Sequence, residues 1–174
     1  KNLVDSERIN GEMISAGYKP ADSAEEAGII IINTCGFIKP AKEESIEIIL
    51  DAASLKDDNG ERFNLIEEER FSRKLVVTGC LSKRYYDELL EDMPEIDFLY
   101  GIPDDNFVSG FSESFKIRIN NPLHKRKRLY TSPSSSYVKI SDGCSNNCSY
   151  CAIPLIRGPH HPFSPDFILG EASE

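Results

Sequence analysis

No apolar stretch in the 174 residues approaches the ~20 needed to cross a bilayer, and no secretory signal opens the chain. The first residue is Lys1 rather than Met, so an upstream targeting segment would lie outside this sequence. Basic residues are scarce: 20 Lys and Arg against 29 Asp and Glu give a net charge of -9. That balance argues against the whole chain clamping nucleic acid, because phosphate binding needs clustered cations. The one basic stretch runs from Lys116 to Arg128, with Lys125, Arg126, Lys127 and Arg128 consecutive, and reads as a solvated linker or strand edge. An even cysteine set, the mark of a secreted disulfide framework, is also missing. There are five cysteines, and Cys144, Cys148 and Cys151 lie too close together to staple separate elements. Metal or redox chemistry in a reducing, cytoplasmic setting is the better reading. No internal repeat is present.

What is there is an ordinary globular composition, 40% hydrophobic and 28% charged, enough for one domain with a real core and a second begun. Asn2 can cap a helix with Ile9, Met13 and Ala16 on its apolar side and Gly17 as its stop. Gly28 to Ile32 is a β-branched run without polar alternation, suited to a parallel strand covered on both faces. A helix follows with Ile46, Ile49, Leu50 and Ala53 at helical spacing, then a polar stretch from Lys56 to Arg70 that reads as a loop or a solvated helix extension. Leu75 to Val77 predicts the next strand, and Tyr86, Leu89, Leu90 and Met93 one face of a helix ending before Pro94. Ile96 to Tyr100 predicts another strand, with a short helix starting at Asp104 or Asp105.

Strand and helix alternate throughout, which predicts the α/β class: an open parallel sheet with helices on both faces. Such a unit normally opens on a strand, and this chain opens on a helix. A first strand is therefore expected upstream of Lys1, and the sequence is expected to be a fragment. Asn120-Asn121-Pro122, the basic run and the Ser-Pro-rich segment 132–136 break the alternation. The expected division is thus a unit over 1–110, a linker over 111–135 and a second unit begun at 136–174. In that last part Tyr137 to Ile140 reads as a strand leading into the cysteine cluster, and a short helix is expected from Ser164.

Cys144, Cys148 and Cys151 form a C-x3-C-x2-C motif. Three thiolates on one tight loop can each take one iron of a [4Fe–4S] cube and leave the fourth iron without a protein ligand. That open iron can chelate the amino and carboxylate groups of S-adenosylmethionine. An electron then cleaves the sulfonium to methionine and a 5′-deoxyadenosyl radical. Tyr150, just before the last cysteine, is the candidate to lay its ring beside the adenine. The alternative is zinc with His160 or His161 as fourth ligand, which three cysteines without a second pair fit poorly. Cys35 and Cys80 each follow a predicted strand, so both should emerge at the carboxyl edge of the sheet, where ligands collect. Each sits beside a glycine, Gly36 or Gly79, that lets backbone approach a bulky group. Spacing alone nonetheless favours two ordinary buried thiols.

Several longer motifs carry a family resemblance. Lys1-Asn2-Leu3-Val4-Asp5-Ser6-Glu7, Asn33-Thr34-Cys35-Gly36-Phe37-Ile38, Ala41-Lys42-Glu43-Glu44-Ser45 and Thr78-Gly79-Cys80-Leu81 resemble the amino-terminal domain of the radical S-adenosylmethionine methylthiotransferases. Lys139-Ile140-Ser141-Asp142-Gly143 and the stretch from Cys151 to Gly158 resemble the start of the radical domain that follows it. The resemblance implies two [4Fe–4S] clusters, one on Cys144, Cys148 and Cys151 and an auxiliary one with Cys35 and Cys80 as two of three ligands. The third is expected just upstream of Lys1. It also implies two uses of S-adenosylmethionine, an electron donor, and a partial βα barrel of which the chain holds only the first strand and cluster loop. A carboxy-terminal substrate-binding domain is expected beyond the chain.

The branch acting on the β-carbon of an aspartate in a small-subunit ribosomal protein is the most similar. A tRNA adenosine methylthiotransferase and a non-enzymatic metal-binding module stand as alternatives. Acidity points the same way: residues 41–70 hold ten acidic and four basic side chains. That balance repels phosphate and favours a basic protein, unless it is only a solvated helix face. After Gly158 the family pattern of an Arg-Ser-Arg-like stretch gives way to Pro159-His160-His161-Pro162-Phe163. His160 and His161 are accordingly read as surface residues without a function.

Overall fold

The computed structural model describes residues 2–57, 62–63, 70–117, 128–132 and 134–173. Helix α1 (Asn2–Ser15) stops at Gly17, whose φ of +98° only glycine adopts freely. Gly17 N donates to Ile14 O and Tyr18 N to Met13 O, both at 3.0 Å, closing the last turn. Strand β1 (Ile29–Thr34) leads into α2 (Lys39–Asp57). Two-residue strands β2 (Arg62–Phe63) and β3 (Arg70–Phe71) pair antiparallel where the sequence reads as loop. Then come β4 (Lys74–Gly79), α3 (Cys80–Arg84), α4 (Tyr86–Asp92), β5 (Phe98–Leu99) and α5 (Phe107–Ser114). The carboxy-terminal part adds β6 (Ser141–Asp142), α6 (Ile153–Arg157), β7 (His161–Pro162) and α7 (Pro165–Ser173).

The main sheet is parallel, in the order β1-β4-β5. Side chains alternate across it, as the strand period requires. Ile30, Ile32, Leu75, Val77 and Leu99 face Ile49, Ala52 and Ala53 of α2 with Leu81, Leu89 and Met93. Ile29, Ile31, Val76, Phe98 and Tyr100 face Ile9, Met13 and Ala16 on the α1 side and Phe107, Val108 and Phe111 of α5. Helices therefore cover both faces, and the uninterrupted apolar runs of β1 and β4 are explained by burial on both sides.

Several expectations need correction. In α2 the buried stripe is Ser45, Ile49, Ala52 and Ala53, while Ile46 and Leu50 face outward, Leu50 being 54% exposed. In α4 and the residue that caps it, Leu89 and Met93 are buried and Tyr86 and Leu90 are not. Both helices offer more apolar residues than one face can hold, and packing on a three-stranded sheet selects the narrower stripe. Tyr137 to Ile140 forms no strand. Arg128 Nη1 donates to Tyr137 O at 2.5 Å, and Phe163 N donates to Ile140 O at 3.0 Å just before the short β6–β7 pair. Arg128 itself, the end of the basic run expected to be solvated, is buried against Glu7 of α1. Its Nε donates to Glu7 Oε2 at 2.7 Å, and Thr131 N and Oγ1 donate to Glu7 Oε1 at 2.8 and 2.7 Å. Lys125 to Lys127 lie outside the described residues, as do 58–61 and 64–69 of the acid-rich stretch. Helix α5 also runs on through residue 110, carrying Phe111 into the core.

Asp97, just before β5, is the polar tie of the three central elements. Its carboxylate accepts from Lys56 Nζ of α2 at 2.6 Å, from Leu75 N of β4 at 2.8 Å and from Lys74 Nζ at 3.2 Å. Burial pushes its carboxyl up, but these three donors outweigh burial and hold it below the usual range. A carboxylate depressed in the fold stabilises it above the unfolded pKa, about 3.9, and loses that contribution as pH falls through the folded value. Asp97→Asn should cost about 1–3 kcal/mol at pH 7. Urea titrations at pH 7 and pH 3 should show the variant losing less stability on acidification than the parent. Equal losses would dismiss Asp97 as a source of the acid sensitivity.

Candidate metal centres

The register of β1 on β4 sets Asn33 beside Thr78 and Thr34 beside Gly79, so Cys35 and Cys80 leave the sheet side by side at its carboxyl edge. Cys80 is not on a loop: it is the first residue of α3 and is fully buried, whereas Cys35 is half-buried. The two glycines serve the protein's own backbone first. A Cβ on Gly36 would sit 2.8 Å from Leu81 Cα and 2.9 Å from Cys80 O, and one on Gly79 would sit 2.5 Å from Thr34 O. They let the two cysteine-bearing segments touch each other. Gly79 also holds φ at +106°, which turns β4 directly into α3. Ser45, buried on α2, fixes the other segment: it accepts from Cys35 N at 3.1 Å and donates to Ala41 O at 2.8 Å. Thr34 Oγ1 donates to Thr78 O at 2.6 Å, tying the strand ends.

A cation from far along the chain completes this edge. The side chain of Arg157, at the end of α6, is only 1% exposed. Its Nη2 lies 2.8 Å from Asp5 Oδ2 of α1 and 3.4 Å from Cys80 Sγ, and its Nη1 lies 2.9 Å from Asp142 Oδ2. Lys139 joins the network, 3.0 Å from Asp5 Oδ1 and 2.7 Å from Asp142 Oδ2. Burial pushes the Cys80 thiol up; Arg157 opposes that, and nearby Cys35 and Asp5 reinforce it. Burial also acts to raise the Asp142 carboxyl, but Lys139, the Gly143 amide and Arg157 hold it well below the usual range. Asp5, Lys139, Asp142 and Arg157 all fall inside the family-like motifs, and sequence reasoning assigned none of them a role. The available signal was that Lys139 and Arg157 are each flanked by apolar residues or glycine and that Asp142 precedes a glycine within those motifs; Asp5, followed by Ser6 and Glu7, carried none.

The loop of Cys144, Cys148 and Cys151 is braced at its root. Gly143 takes φ +70°, and a Cβ there would press on the backbone of Gly158 and Pro159. Cys144 N donates to Gly158 O at 3.1 Å, His160 N to Ser145 Oγ at 3.0 Å, and Cys151 N to Cys148 O at 3.1 Å. Beyond the root the loop opens: Cys148 is exposed and Tyr150 is 91% exposed. His160 and His161 lie at the surface. All five cysteines are free thiols.

Among the described residues no three Cys, His, Asp or Glu side chains converge as ligands to a single ion. A [4Fe–4S] cube would make a different demand, taking each thiolate on a different iron. Three free thiols on one open loop fit that demand. At the sheet edge, the Cys80 thiol, with Cys35 nearby, lies against a buried guanidinium whose Nε has no hydrogen-bond partner among the described residues, a setting that fits an anionic group.

Gly17 and Gly79 share positive φ, but only Gly79 is hemmed in by backbone. Gly17→Ala should therefore cost about 1–2 kcal/mol from backbone strain alone. Gly79→Ala should cost clearly more, because the Cys35 and Cys80 segments must also part. Denaturant unfolding of the two variants checks this, and equal costs would deny the close approach.

Residues 1–101, more than half of the chain, match the profile of the uncharacterized protein family UPF0004. The chain is 38% identical over 189 residues to the ribosomal protein uS12 methylthiotransferase RimO of Acetivibrio thermocellus, covering 99% of this chain and 39% of that one. The RimO proteins of Sulfurihydrogenibium sp. and Chlorobaculum tepidum are each 39% identical over 173 residues, with 99% of this chain matched to 36% and 37% of theirs. The chain thus spans under two-fifths of the length of these relatives. On these matches the chain belongs to the UPF0004 family, alongside the RimO-like methylthiotransferases.

Proposed function

We propose that this chain works within a methylthiotransferase that modifies the β-carbon of an aspartate in a small-subunit ribosomal protein. Cys144, Cys148 and Cys151 hold one [4Fe–4S] cluster, and Cys35 and Cys80 supply two of the three ligands of another. When bound, the first supplies the electron that cleaves S-adenosylmethionine reductively, and the second is where sulfur is held for transfer. The reading is carried by Arg157, which follows the Cys151 loop and touches Cys80, so that one side chain links the segment bearing one thiol set to a cysteine of the other. The names of the relatives support the substrate class.

Each residue has a part in this reading. Ser45 and Gly36 hold Cys35 against the start of α3, while Asp142 and Gly143 set the root of the loop that carries Cys144. Tyr150, open to solvent beside Cys151, covers the adenine of S-adenosylmethionine. On α2, Glu43, Glu44, Glu47 and Asp51 are exposed and form an acidic face toward a basic protein partner, effective within ~8 Å at physiological salt. No helix among the described residues is long and apolar enough to cross a membrane. We assign the reaction to the cytoplasm, where a cellular electron donor supplies the reductant.

The test uses the full-length enzyme reconstituted with iron and sulfide without oxygen. We expect acid-labile sulfide with the iron, and loss of S-adenosylmethionine cleavage in the Cys144→Ala/Cys148→Ala/Cys151→Ala variant while circular dichroism stays unchanged. Cleavage at the parental rate in that variant, or stoichiometric zinc without sulfide, would overturn the enzymatic reading. Offered both a ribosomal protein uS12 and tRNA, the parent should add the methylthio mass to the protein; mass on tRNA alone would overturn the substrate.

A further inference from the structure

The charge network at the sheet edge is larger than ligand placement requires. Cys80 is already fixed by Gly79 and α3, yet a guanidinium from a segment 77 residues later is buried against its sulfur. Asp5 and Asp142 orient the fork from either side, so that Nη2 addresses Cys80 Sγ while Nη1 stays on Asp142, at the root of the Cys144 loop. Lys139 balances the second carboxylate charge. A buried cation that only braced two loops would be satisfied by Asp5 and Asp142. The additional contact with sulfur is a directed one.

We propose that Arg157 is a positioning residue with a second, electrostatic role: it donates a hydrogen bond to the Cys80 sulfur and so raises the reduction potential of the cluster held there. Its ion pair with Asp142 meanwhile locks that cluster's surroundings to the Cys144 loop. The inference rests on the reading of Cys80 as an auxiliary-cluster ligand. Adding an electron makes a cluster more negative, and an N–H donor and positive charge at a ligand sulfur stabilise that state. The effect is strong here because the guanidinium is removed from solvent. Its arrival from the segment after the Cys151 loop ties the electronic setting of one cluster to the docking of the loop that carries the other.

The experiment uses the full-length enzyme with Cys144, Cys148 and Cys151 changed to Ala, so that only the auxiliary cluster is reconstituted. Its potential is read by electron paramagnetic resonance during a reductive titration. Arg157→Met in that background should shift the midpoint to lower potential, and Arg157→Lys should shift it less. Because Arg157→Met leaves Asp5 and Asp142 sharing Lys139 alone, Asp5→Asn/Arg157→Met is measured beside it and should show the same downward direction against Asp5→Asn alone. Clusters that form in reduced number but at an unchanged or higher potential would mean that Arg157 only braces the loop, and would overturn the electrostatic role. Failure of the Ala background itself to hold any cluster would overturn the assignment of Cys35 and Cys80, and this inference with it.

Discussion

Parallel pairing of β1 with β4, from Ile29 against Lys74 to Thr34 against Gly79, is the constraint on which the candidate chemistry depends. Both faces of these strands are apolar, so hydrophobic burial alone specifies their register only weakly. Polar groups at the strand ends specify it instead. Thr34 Oγ1 donates to Thr78 O, Thr78 Oγ1 donates to Gly101 O at 2.7 Å, and both threonines are buried. At the opposite end Leu75 N is held by the Asp97 carboxylate. A slip of one residue would strand these groups away from water, at about 1–3 kcal/mol for each buried donor or acceptor left unpaired. The register that avoids this cost is also the one that sends Cys35 and Cys80 off the sheet together.

The carboxy-terminal segment meets this sheet through charge more than through apolar area. Helix α7 buries no residue, and α6 buries only Ile156 and the side chain of Arg157. Ionic anchors on α1 take the place of a larger core, two of them on its carboxylates and a third where Arg8 lies 3.1 Å from Glu171 of α7. Glu7 receives Arg128 and Thr131, while Asp5 receives Lys139 and Arg157. In the second anchor two carboxylates, Asp5 and Asp142, face two cations, so the desolvated charge balances. Breaking such a balance by removing one partner costs roughly 3–5 kcal/mol, whereas the intact set adds far less net stability. What it contributes is direction: a fork-shaped guanidinium held on two sides has one orientation, and apolar packing of the same small area would leave several.

These two levels were unequally legible in the sequence. The β-branched runs of β1 and β4 announce doubly covered strands by composition, and the spacing of Cys144, Cys148 and Cys151 places three thiols on one short loop, which is where the structure has them. The emergence of Cys35 and Cys80 on one sheet edge followed from strand order, which a parallel sheet makes predictable. The buried stripes of α2 and α4 did not follow. Ile46, Ile48, Leu50 and Leu90 are as apolar as their buried neighbours, and only the width of the sheet decides which are covered. Arg128 and Arg157 were illegible for a different reason. An arginine is read as solvated until its carboxylate is known, and here the partners Glu7 and Asp5 lie 121 and 152 residues away.

The contrast between the two thiol sets follows from how each is supported. Cys80 begins a helix against a packed sheet, so its sulfur is held by the core itself and shielded from water. Cys148 and Tyr150 stand at the tip of a loop that has hydrogen bonds at its root and solvent beyond it. Sparse contacts at the tip give it low local stability, so its position is only as well defined as the root from which it grows. That root is Asp142 and Gly143, and Asp142 is held by Lys139 and Arg157. In the proposed function this is the arrangement the chemistry needs: an open set of thiols that a small molecule can approach, and a second set anchored by one thiol, Cys80, that is shielded from water. Because Arg157 contacts both Asp142 and Cys80, neither set can shift relative to the other without breaking a buried ion pair.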